Sequence, residues 1–278
     1  MSAPPMEATR RDVAQLAVAA SPVGLLSAAL ELTGGKPDPW QVKALSSPAS
    51  RLAIVASRQV GKGSVAAAAA LHCAAYRPGS LILIVSASER QARVVIDRVR
   101  EMLTVLGRHA EGLVETLTEL RFANGSVLRV LPSTSTSLRG WSCHYLVVDE
   151  ASFVETVSWH ALVPTTAATG GRILALSSAG QPEGWFYDVV TRPDQYPEWE
   201  RITVTADQVS RLRPEFLAGE RRRLPDATYR REYLAEFTGS ALGPFEPLLV
   251  ARAMAAGREQ PRPGANPFDL SDLFRRQQ

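Results

Sequence analysis

Four short hydrophobic runs are spaced along the first two thirds of the chain. They cover residues 51–56, 80–87, 145–148 and 171–179, and each has the length of one strand. They are apolar at nearly every position instead of at alternate ones, which is typical of strands buried on both faces of a sheet. The pattern therefore predicts a central sheet with helices on both sides.

Helix-prone segments separate and follow these strands. Residues 62–76 are rich in alanine, and residues 89–106 carry an apolar stripe at helical spacing. From Gln208 onward the pattern is helical, through residues 229–237 and then 248–256. Strands that alternate with helices predict an α/β fold with a mostly parallel sheet, because parallel neighbours need a crossover connection between them.

Three further segments predict strands outside the centre of the sheet. Residues 117–122 and 126–131 flank an Asn-Gly pair, which favours the tight turn of a β-hairpin. Residues 199–205 alternate in polarity, as expected of a strand nearer the sheet edge.

Composition allows a full hydrophobic core in one large domain, with small appendages. The chain has 278 residues, of which 45% are hydrophobic, a formal net charge of +3 and a pI near 9.1. So small a net charge gives no overall basic field for nucleic acid, and any DNA contact must be local. Arginine clusters at 221–223, 230–231 and 275–276 are candidates, although a solvated helix face is the commoner explanation.

Cysteine content and hydropathy indicate the compartment. Cys73 and Cys143 are too few for a disulfide framework or a metal site, which fits a reducing cytoplasm. No apolar run approaches the ~20 residues of a membrane span, and the N-terminus does not resemble a signal peptide. We therefore expect a protein that is neither secreted nor bound in a membrane.

The loop between the first strand and the alanine-rich helix carries the strongest chemical signal. Residues 56–64 read Ala-Ser-Arg-Gln-Val-Gly-Lys-Gly-Ser. At a helix N-terminus, backbone N–H groups and the helix dipole attract phosphate oxygens, and Lys62 can reach the β- and γ-phosphates of a nucleoside triphosphate. The chain has three lysines against 28 arginines, which favours a position that needs a compact ammonium group.

This loop departs at two positions from the G-x-x-x-x-G-K-[ST] pattern of phosphate loops. Ala56 stands at the first glycine position, and Gly63 replaces the residue whose hydroxyl ordinarily holds magnesium. Ser64 cannot simply substitute, because one step along a helix turns a side chain by ~100°. We expect water to fill the position and Gly63→Ser to be tolerated, unless close backbone approach requires the glycine. Alone, the loop fits a tight strand-to-helix turn with a surface lysine equally well.

A second element follows the hydrophobic run at 145–148, which ends in Asp149 and Glu150. Ligands of open parallel sheets bind at the C-terminal ends of the strands. Asp149 is predicted to hold Mg²⁺, directly or through water, and Glu150 to orient and polarise the attacking water. The alternative is an acidic strand end that caps the following helix. Together with the lysine loop, the pair predicts an ATPase with ATP and Mg²⁺ as cofactors.

Five segments in chain order resemble motifs of the large terminase subunits of tailed phages, the ATP-driven motors that package DNA into proheads. They are Pro39-Trp40-Gln41, Ser57-Arg58-Gln59-Val60-Gly61-Lys62, Leu138-Arg139-Gly140, Leu176-Ser177-Ser178-Ala179-Gly180 and residues 229–237. Each motif is weak alone, whereas the ordered set is fairly specific. The resemblance covers roughly residues 37–250 and implies a P-loop NTPase fold of the additional-strand type.

The resemblance also implies site roles. The nucleotide would be bound through adenine recognition and the phosphate loop by Trp40, Gln41, Ser57, Arg58, Gln59, Val60, Gly61, Lys62, Gly63 and Ser64. Ser177, Ser178 and Ala179 would couple hydrolysis to movement. Without the resemblance, a strand end at which the serines cap the next helix is the slightly better interpretation. Arg58 or Arg139 at a subunit interface would stabilise the γ-phosphate charge, and for Arg139 a local ion pair is an equal alternative.

Four domains and a set of partners follow from the same resemblance. Residues 1–36 would form an N-terminal helical segment, 37–206 the P-loop ATPase core, 207–257 a helical C-terminal subdomain and 258–278 a linker or flexible tail. The implied partners are double-stranded DNA, the portal protein of the prohead and a small terminase subunit. The chain would act as a homo-oligomeric ring on the portal, in the cytoplasm of the bacterial host during virion assembly.

The C-terminal residues depart from the family pattern. A complete large terminase continues into a nuclease domain, in which acidic residues on a sheet hold two metal ions. The acids after Glu236 are Glu246, Glu259, Asp269 and Asp272, in helical or proline-rich sequence without a predicted strand. We therefore expect no DNA cleavage by this chain, with the cutting activity on a separate nuclease chain or the reading frame short.

Two other functions stay open at this point. One is a different P-loop translocase of the helicase type, although no second motor lobe fits into the residues after 206. The other is a degenerate nucleotide-binding subunit that recruits a small terminase, a portal or a separate nuclease. Gly63 favours this second alternative, and Glu150 argues against it.

Overall fold

The hydrophobic runs form the centre of an eight-stranded sheet in the computed structural model, which describes residues 21–105, 114–134, 138 and 140–239. The strands are β1 (Arg51–Ala56), β2 (Leu81–Ser86), β3 (Val114–Glu115), β4 (Glu119–Arg121), β5 (Val127–Pro132), β6 (Tyr145–Asp149), β7 (Arg172–Ser177) and β8 (Glu200–Val204). Their order across the sheet is β3-β4-β5-β2-β6-β7-β1-β8. Neighbours from β5 to β8 are parallel, and β3 and β4 add an antiparallel edge.

Eight helices within the described residues connect and cover the strands. They are α1 (Pro22–Glu31), α2 (Pro39–Ser46), α3 (Lys62–Tyr76), α4 (Glu89–Val105), α5 (Thr156–Leu162), α6 (Gly184–Thr191), α7 (Pro214–Arg223) and α8 (Asp226–Tyr233). Short 3₁₀ turns follow at Ala151–Phe153, Val163–Thr166 and Ala206–Gln208. In this part of the chain, no helix is long and apolar enough to cross a membrane.

Two hydrophobic layers enclose the sheet. Leu52 and Ile54 of β1 join the layer that contains α1 to α4. Ala53 and Val55 of the same strand join the layer that contains α5 and α6. Because successive side chains of a strand point to opposite faces, a strand covered on both sides must be apolar at every position. This explains the continuous runs and confirms the predicted α/β architecture.

Helix α3 lies in the middle of the first layer and packs on α1, α4 and the sheet. Its residues 65–71 are all buried. A helix surrounded in this way needs small side chains, since the close packing of protein interiors leaves little room for larger ones. The alanine-rich composition of residues 62–76 therefore reflects close approach on several sides as well as helix propensity.

The predicted hairpin is confirmed, with β4 and β5 antiparallel around Asn124-Gly125. The side-chain amide of Asn124 donates hydrogen bonds to the carbonyls of Ala74 (2.8 Å) and Ala75 (3.1 Å), near the end of α3. The turn residue thus ties the hairpin to the helix that follows the lysine loop. The sequence pattern did not predict β3, which extends this edge by two residues.

The described residues belong to one unit that ends at Gly239. Its hydrophobic layers include Leu26 of α1 as well as Val209 and Ala235 near α7 and α8. The predicted domain boundaries at 36/37 and 206/207 remain predictions. The boundary at 257/258, the helix predicted at 248–256 and the acids from Glu246 onward lie outside the described residues.

A cluster of tryptophans supports the layer beneath β6. The rings of Trp159 and Trp185 are stacked with centroids 3.9 Å apart, and Trp199 lies 5.9 Å from Trp159. The indole N–H of Trp185 donates to the carbonyl of Val154 at 2.9 Å. Val154 ends the short turn that follows the acidic pair, so the cluster also supports the segment next to β6.

We expect Trp185→Ala to lower the free energy of unfolding by about 3–5 kcal/mol, because it leaves a large cavity and an unpaired carbonyl. Urea denaturation measures this loss. The matched control is Val157→Ala on α5, whose side chain is 69% exposed and whose loss should stay within ~0.5 kcal/mol. Equal effects of the two substitutions would show that the tryptophan cluster is not a stabilising centre.

Candidate functional site

Strand order brings the two predicted motifs to one edge of the sheet. β7 lies between β1, which leads into the lysine loop, and β6, which ends in the acidic pair. In register, Val55 of β1 pairs with Ser177 of β7, and Asp149 of β6 pairs with Leu176. Because these strands are parallel, their carboxyl ends face the same crevice.

The lysine loop has an unusual backbone at two residues. Gln59 has φ 59° and Gly61 has φ 94°, both in the left-handed region, while Val60 between them is fully buried. Left-handed residues curl the backbone so that successive N–H groups can face one concavity, the geometry of anion-binding nests. A glutamine in this region is strained, which is common at ligand-binding sites.

Side chains from outside the loop donate hydrogen bonds to its carbonyl groups. Gln41 donates its side-chain amide to the carbonyl of Gly61 at 3.3 Å, and the Gln41 side-chain oxygen accepts from the N–H of Asp38 at 2.9 Å. Arg211 donates to the carbonyl of Val60 and pairs with Asp38 at 3.1 Å. These bonds fix the positions of the loop carbonyls.

The two residues predicted to recognise adenine are both buried. Trp40 packs in the hydrophobic layer of α1 to α4, and Gln41 holds the phosphate loop. The contact of Gln41 positions the loop. Adenine recognition by Trp40 and Gln41 remains a prediction.

Lys62 is the first residue of α3, and its side chain is already hydrogen-bonded. Its ammonium donates to the carbonyls of Ala56 at 3.2 Å and Ser57 at 3.1 Å. Burial lowers the pKa of Lys62, and the charges of Glu150 and Asp149 oppose this shift. The amine is therefore oriented toward the acidic pair, with bonds that phosphate oxygens can replace.

Burial and the adjacent Glu150 raise the pKa of Asp149 to about 6, against the opposing charges of Lys62 and Arg98. A buried carboxyl of this kind is stabilised in its ionised form by a cation. Within the described residues, no three His, Cys, Asp or Glu side chains are grouped to hold a metal ion. Mg²⁺ commonly uses one or two carboxylates and completes its shell with phosphate oxygens and water. Asp149 fits such a site as its protein ligand.

Glu150 follows Asp149 with φ 50°, again in the left-handed region. Its carboxylate accepts a hydrogen bond from the hydroxyl of Ser177 at 3.3 Å, and it makes no capping bond to the 3₁₀ turn Ala151–Phe153. Glu150 therefore does not cap this turn, which argues against the capping alternative for its side chain. The strained backbone turns the Glu150 carboxylate toward the end of β7 instead.

The residues predicted to couple hydrolysis to movement also lie at this edge. Ser177 is fully buried beside Glu150, and Ser178 accepts a hydrogen bond from Ser152 at its carbonyl, at 2.9 Å. Ala179 is buried in the hydrophobic layer that contains α5 and α6. The structure thus brings the serines to the acidic pair, whereas their coupling role remains a prediction.

An open cavity of about 400 Å³ extends from the lysine loop to Glu150 of the acidic pair. Its lining is formed by Arg58, Gln59, Lys62, Gln91, Glu150, Phe153 and Ser178. Sequence reasoning missed Gln91 and Phe153. Neither belongs to a motif, and only the fold places the start of α4 and the 3₁₀ turn after β6 beside the loop.

Arg58 is linked to α8. Its guanidinium pairs with the carboxylate of Glu232, and its backbone N–H donates to the carbonyl of the same residue at 3.0 Å. The Arg58 side chain is nevertheless 66% exposed. Glu232 was not predicted as a site residue, although it lies in the segment 229–237. Arg139, the other predicted arginine, lies outside the described residues, so its role remains a prediction.

Gly63 lies beside an arginine that the sequence did not single out. A Cβ atom added at position 63 would lie 2.8 Å from Nε of Arg98 on α4. The hydroxyl of Ser64 accepts a hydrogen bond from Nη1 of Arg98 at 3.5 Å. The expectation that Gly63→Ser is tolerated therefore changes. The group packed against Gly63 is the side chain of Arg98, and a serine fits only if that side chain moves.

Comparison with known proteins connects this site to a family. A family model described as "Terminase large subunit, T4likevirus-type, N-terminal" matches residues 53–246. A terminase large subunit of Thermus phage G20c is 26% identical over 255 residues, covering 78% of this chain and 52% of the relative. The chain thus spans about half the length of the curated relatives it matches.

Solved structures give the same result for the fold. The large terminase ATPase domain of Thermus phage P74-26 has a TM-score of 0.65 and 25% identity, with 75% of this chain and 97% of that chain covered. The large terminase of another thermophilic bacteriophage, solved in complex with ADP, has a TM-score of 0.62 at 13% identity, over 73% and 54% of the two chains. At that identity, the second likeness concerns the fold alone. The family model covers well over half of the sequence, and it describes the N-terminal part of the large subunit. The chain therefore belongs to the terminase large subunit family, and residues 53–246 correspond to the N-terminal region of that family.

Proposed function

We propose that this chain is the ATP-hydrolysing motor of a phage terminase and drives the packaging of double-stranded DNA into the prohead. The observation that carries the proposal is the meeting of Lys62 with Glu150 around one cavity, with Asp149 next to Glu150 at the end of β6 and β7 between the two strands. The ATPase domain of Thermus phage P74-26, which the chain matches at 25% identity, supports ATP as the nucleotide.

Each residue at this edge has a distinct role in the proposal. Lys62 exchanges the carbonyls of Ala56 and Ser57 for phosphate oxygens, and loop N–H groups bind the remaining oxygens. Asp149 holds Mg²⁺, which when bound neutralises phosphate charge. Glu150 orients and polarises the attacking water, and the hydroxyl of Ser177 fixes the direction of its carboxylate.

An arginine completes the site by stabilising charge on the γ-phosphate. Arg58 lines the same cavity and can act within its own subunit once it leaves Glu232. Arg139 follows the buried Leu138 and precedes Gly140, upstream of β6, where it could reach the nucleotide of a neighbouring subunit. Both assignments belong to the proposal.

The proposed partners follow from the family. They are double-stranded DNA, the prohead portal and a small terminase subunit, with the chain acting as a homo-oligomeric ring in the host cytoplasm.

Substitution of the two central residues tests the activity. Lys62→Ala should abolish ATP binding, because the loop loses its point charge, whereas Glu150→Gln should bind ATP and hydrolyse it at least ~10²-fold more slowly. Binding is followed with a fluorescent ATP analogue, and turnover by phosphate release with and without linear duplex DNA. Normal hydrolysis by Glu150→Gln would contradict the assignment. A parent chain that binds but never hydrolyses would favour the degenerate recruiting subunit.

The pair of Arg58 and Glu232 allows a double-mutant cycle. If ATP competes with Glu232 for Arg58, then Glu232→Gln should tighten ATP binding by about two- to five-fold, since an ion pair with one solvent-exposed partner is worth on the order of 1 kcal/mol. In an Arg58→Ala background the gain should shrink, and turnover should be low. Equal gains in both backgrounds would show that Glu232 acts only through its general negative charge.

Subunit mixing tests Arg139. Arg139→Ala should bind ATP normally yet lose the turnover stimulated by DNA and portal, because its neighbour lacks the stabilising charge. Mixing with Lys62→Ala protein should restore part of the activity, as each variant supplies what the other lacks. If hetero-oligomers form and stay inactive, Arg139 acts in its own subunit or only in folding, and Arg58 becomes the better candidate.

A further inference from the structure

We propose that Arg98 of α4 is a nucleotide-binding residue, whose guanidinium binds phosphate oxygens from the space beside Gly63, where other phosphate loops carry a serine or threonine side chain. Gly63 admits the arginine side chain. The inference rests on the proposed ATP binding and adds a second cation to the phosphate site beside Lys62. It also explains the departure of this loop from the usual pattern.

The first support is the cost of a glycine at this position. Gly63 is the second residue of α3, and its φ is not positive, so its backbone conformation does not require glycine. Glycine within a helix destabilises it by a few tenths to about one kcal/mol relative to alanine. A Cβ atom here would lie 2.8 Å from Nε and 3.0 Å from Cδ of Arg98. Room for the arginine is therefore the physical reason for the glycine.

The second support is the position of Arg98 on α4. Val95 and Val99, close to it on the same helix, are fully buried in the layer against α3. An arginine beside such a stripe is unusual unless its charge is used, because desolvation of a charge is unfavourable. Its charge acts on Asp149, whose pKa it lowers. Arg98 is thus close to both the loop and the proposed metal ligand.

The third support is that the hydrogen-bonding capacity of Arg98 is largely unused. Its Nε is buried without a hydrogen-bond partner in the described part of the chain. Nη1 makes a long bond of 3.5 Å to Ser64, and no carboxylate of the described residues forms an ion pair with it. A guanidinium presents a rigid fork of donors that matches phosphate oxygens. A phosphate beside Lys62 would satisfy these donors.

The direct test measures nucleotide affinity. Arg98→Ala should weaken binding of a fluorescent ATP analogue by about 10- to 100-fold, with and without Mg²⁺, since it removes a charged hydrogen bond to phosphate. Arg98→Lys should recover part of this affinity. The matched control is Arg100→Ala on the same helix, which breaks ion pairs with Asp97 and Glu115 and should leave ATP affinity unchanged.

Gly63 provides the reciprocal test. Gly63→Ser restores the usual loop pattern but should weaken ATP binding, because the serine displaces Arg98. In Gly63→Ser/Arg98→Ala the hydroxyl has room, and affinity should exceed that of Arg98→Ala alone. Stronger ATP binding by Gly63→Ser in the presence of Arg98 would overturn the proposal.

ATP binding by further variants separates a binding role of Arg98 from a purely structural one. If Arg98→Ala binds ATP like the parent while Lys62→Ala does not, Arg98 is only structural, and the proposed ATPase function stands. If Lys62→Ala also binds like the parent, the proposed function itself fails. Should Arg98→Ala not fold, Arg98→Gln keeps most of the side-chain volume without the charge. Unchanged affinity in that variant would refute the proposal.

Discussion

Burial of the parallel strands on both faces is the constraint on which the site depends. With helices packed against each side, β1, β6 and β7 leave no face for polar groups, which can then lie only where the strands end. The order β6-β7-β1 sets those ends side by side. Lys62, Ser177 and Asp149 come from distant parts of the sequence, and only this sheet arrangement makes them neighbours.

The cationic side chains of the site make contacts within the protein that a ligand can replace. Lys62 is bonded to two carbonyls, Arg58 pairs with Glu232, and Arg98 contacts Ser64 through one long bond. Ligand binding at such a site replaces protein contacts with phosphate contacts, and affinity is the difference between the two sets. For Lys62 and Arg98, contacts to neutral carbonyls and a hydroxyl are weaker than contacts to phosphate. The structure therefore keeps these two cations in place without satisfying them fully, whereas Arg58 is paired with a carboxylate.

The sequence could predict those features that depend on neighbouring residues, but not those that depend on contacts between distant parts of the chain. The strand runs, the Asn124 turn, the lysine loop and the acidic pair each follow from neighbouring residues, and their elements were predicted within one or two positions. Arg98 could not be found in this way, because α4 carries several arginines and nothing in its spacing distinguishes one that faces α3. Its signal was indirect: a glycine in the first turn of α3 that no backbone requirement explains.

Glu232 escaped prediction for a related reason. It belongs to α8, more than 170 residues after the loop, and only the fold brings it to Arg58. Two connections thus leave the proposed nucleotide site in different directions, one through Arg58 to α8 and one from Glu150 through Ser177 to β7. β7 is fixed between two parallel neighbours, whereas α7 has no buried residue and α8 buries only Tyr229. Elements with few buried contacts open at lower free energy than a central strand. In the proposed function, a change at the γ-phosphate would accordingly move α8 more readily than β7, through the contact between Arg58 and Glu232.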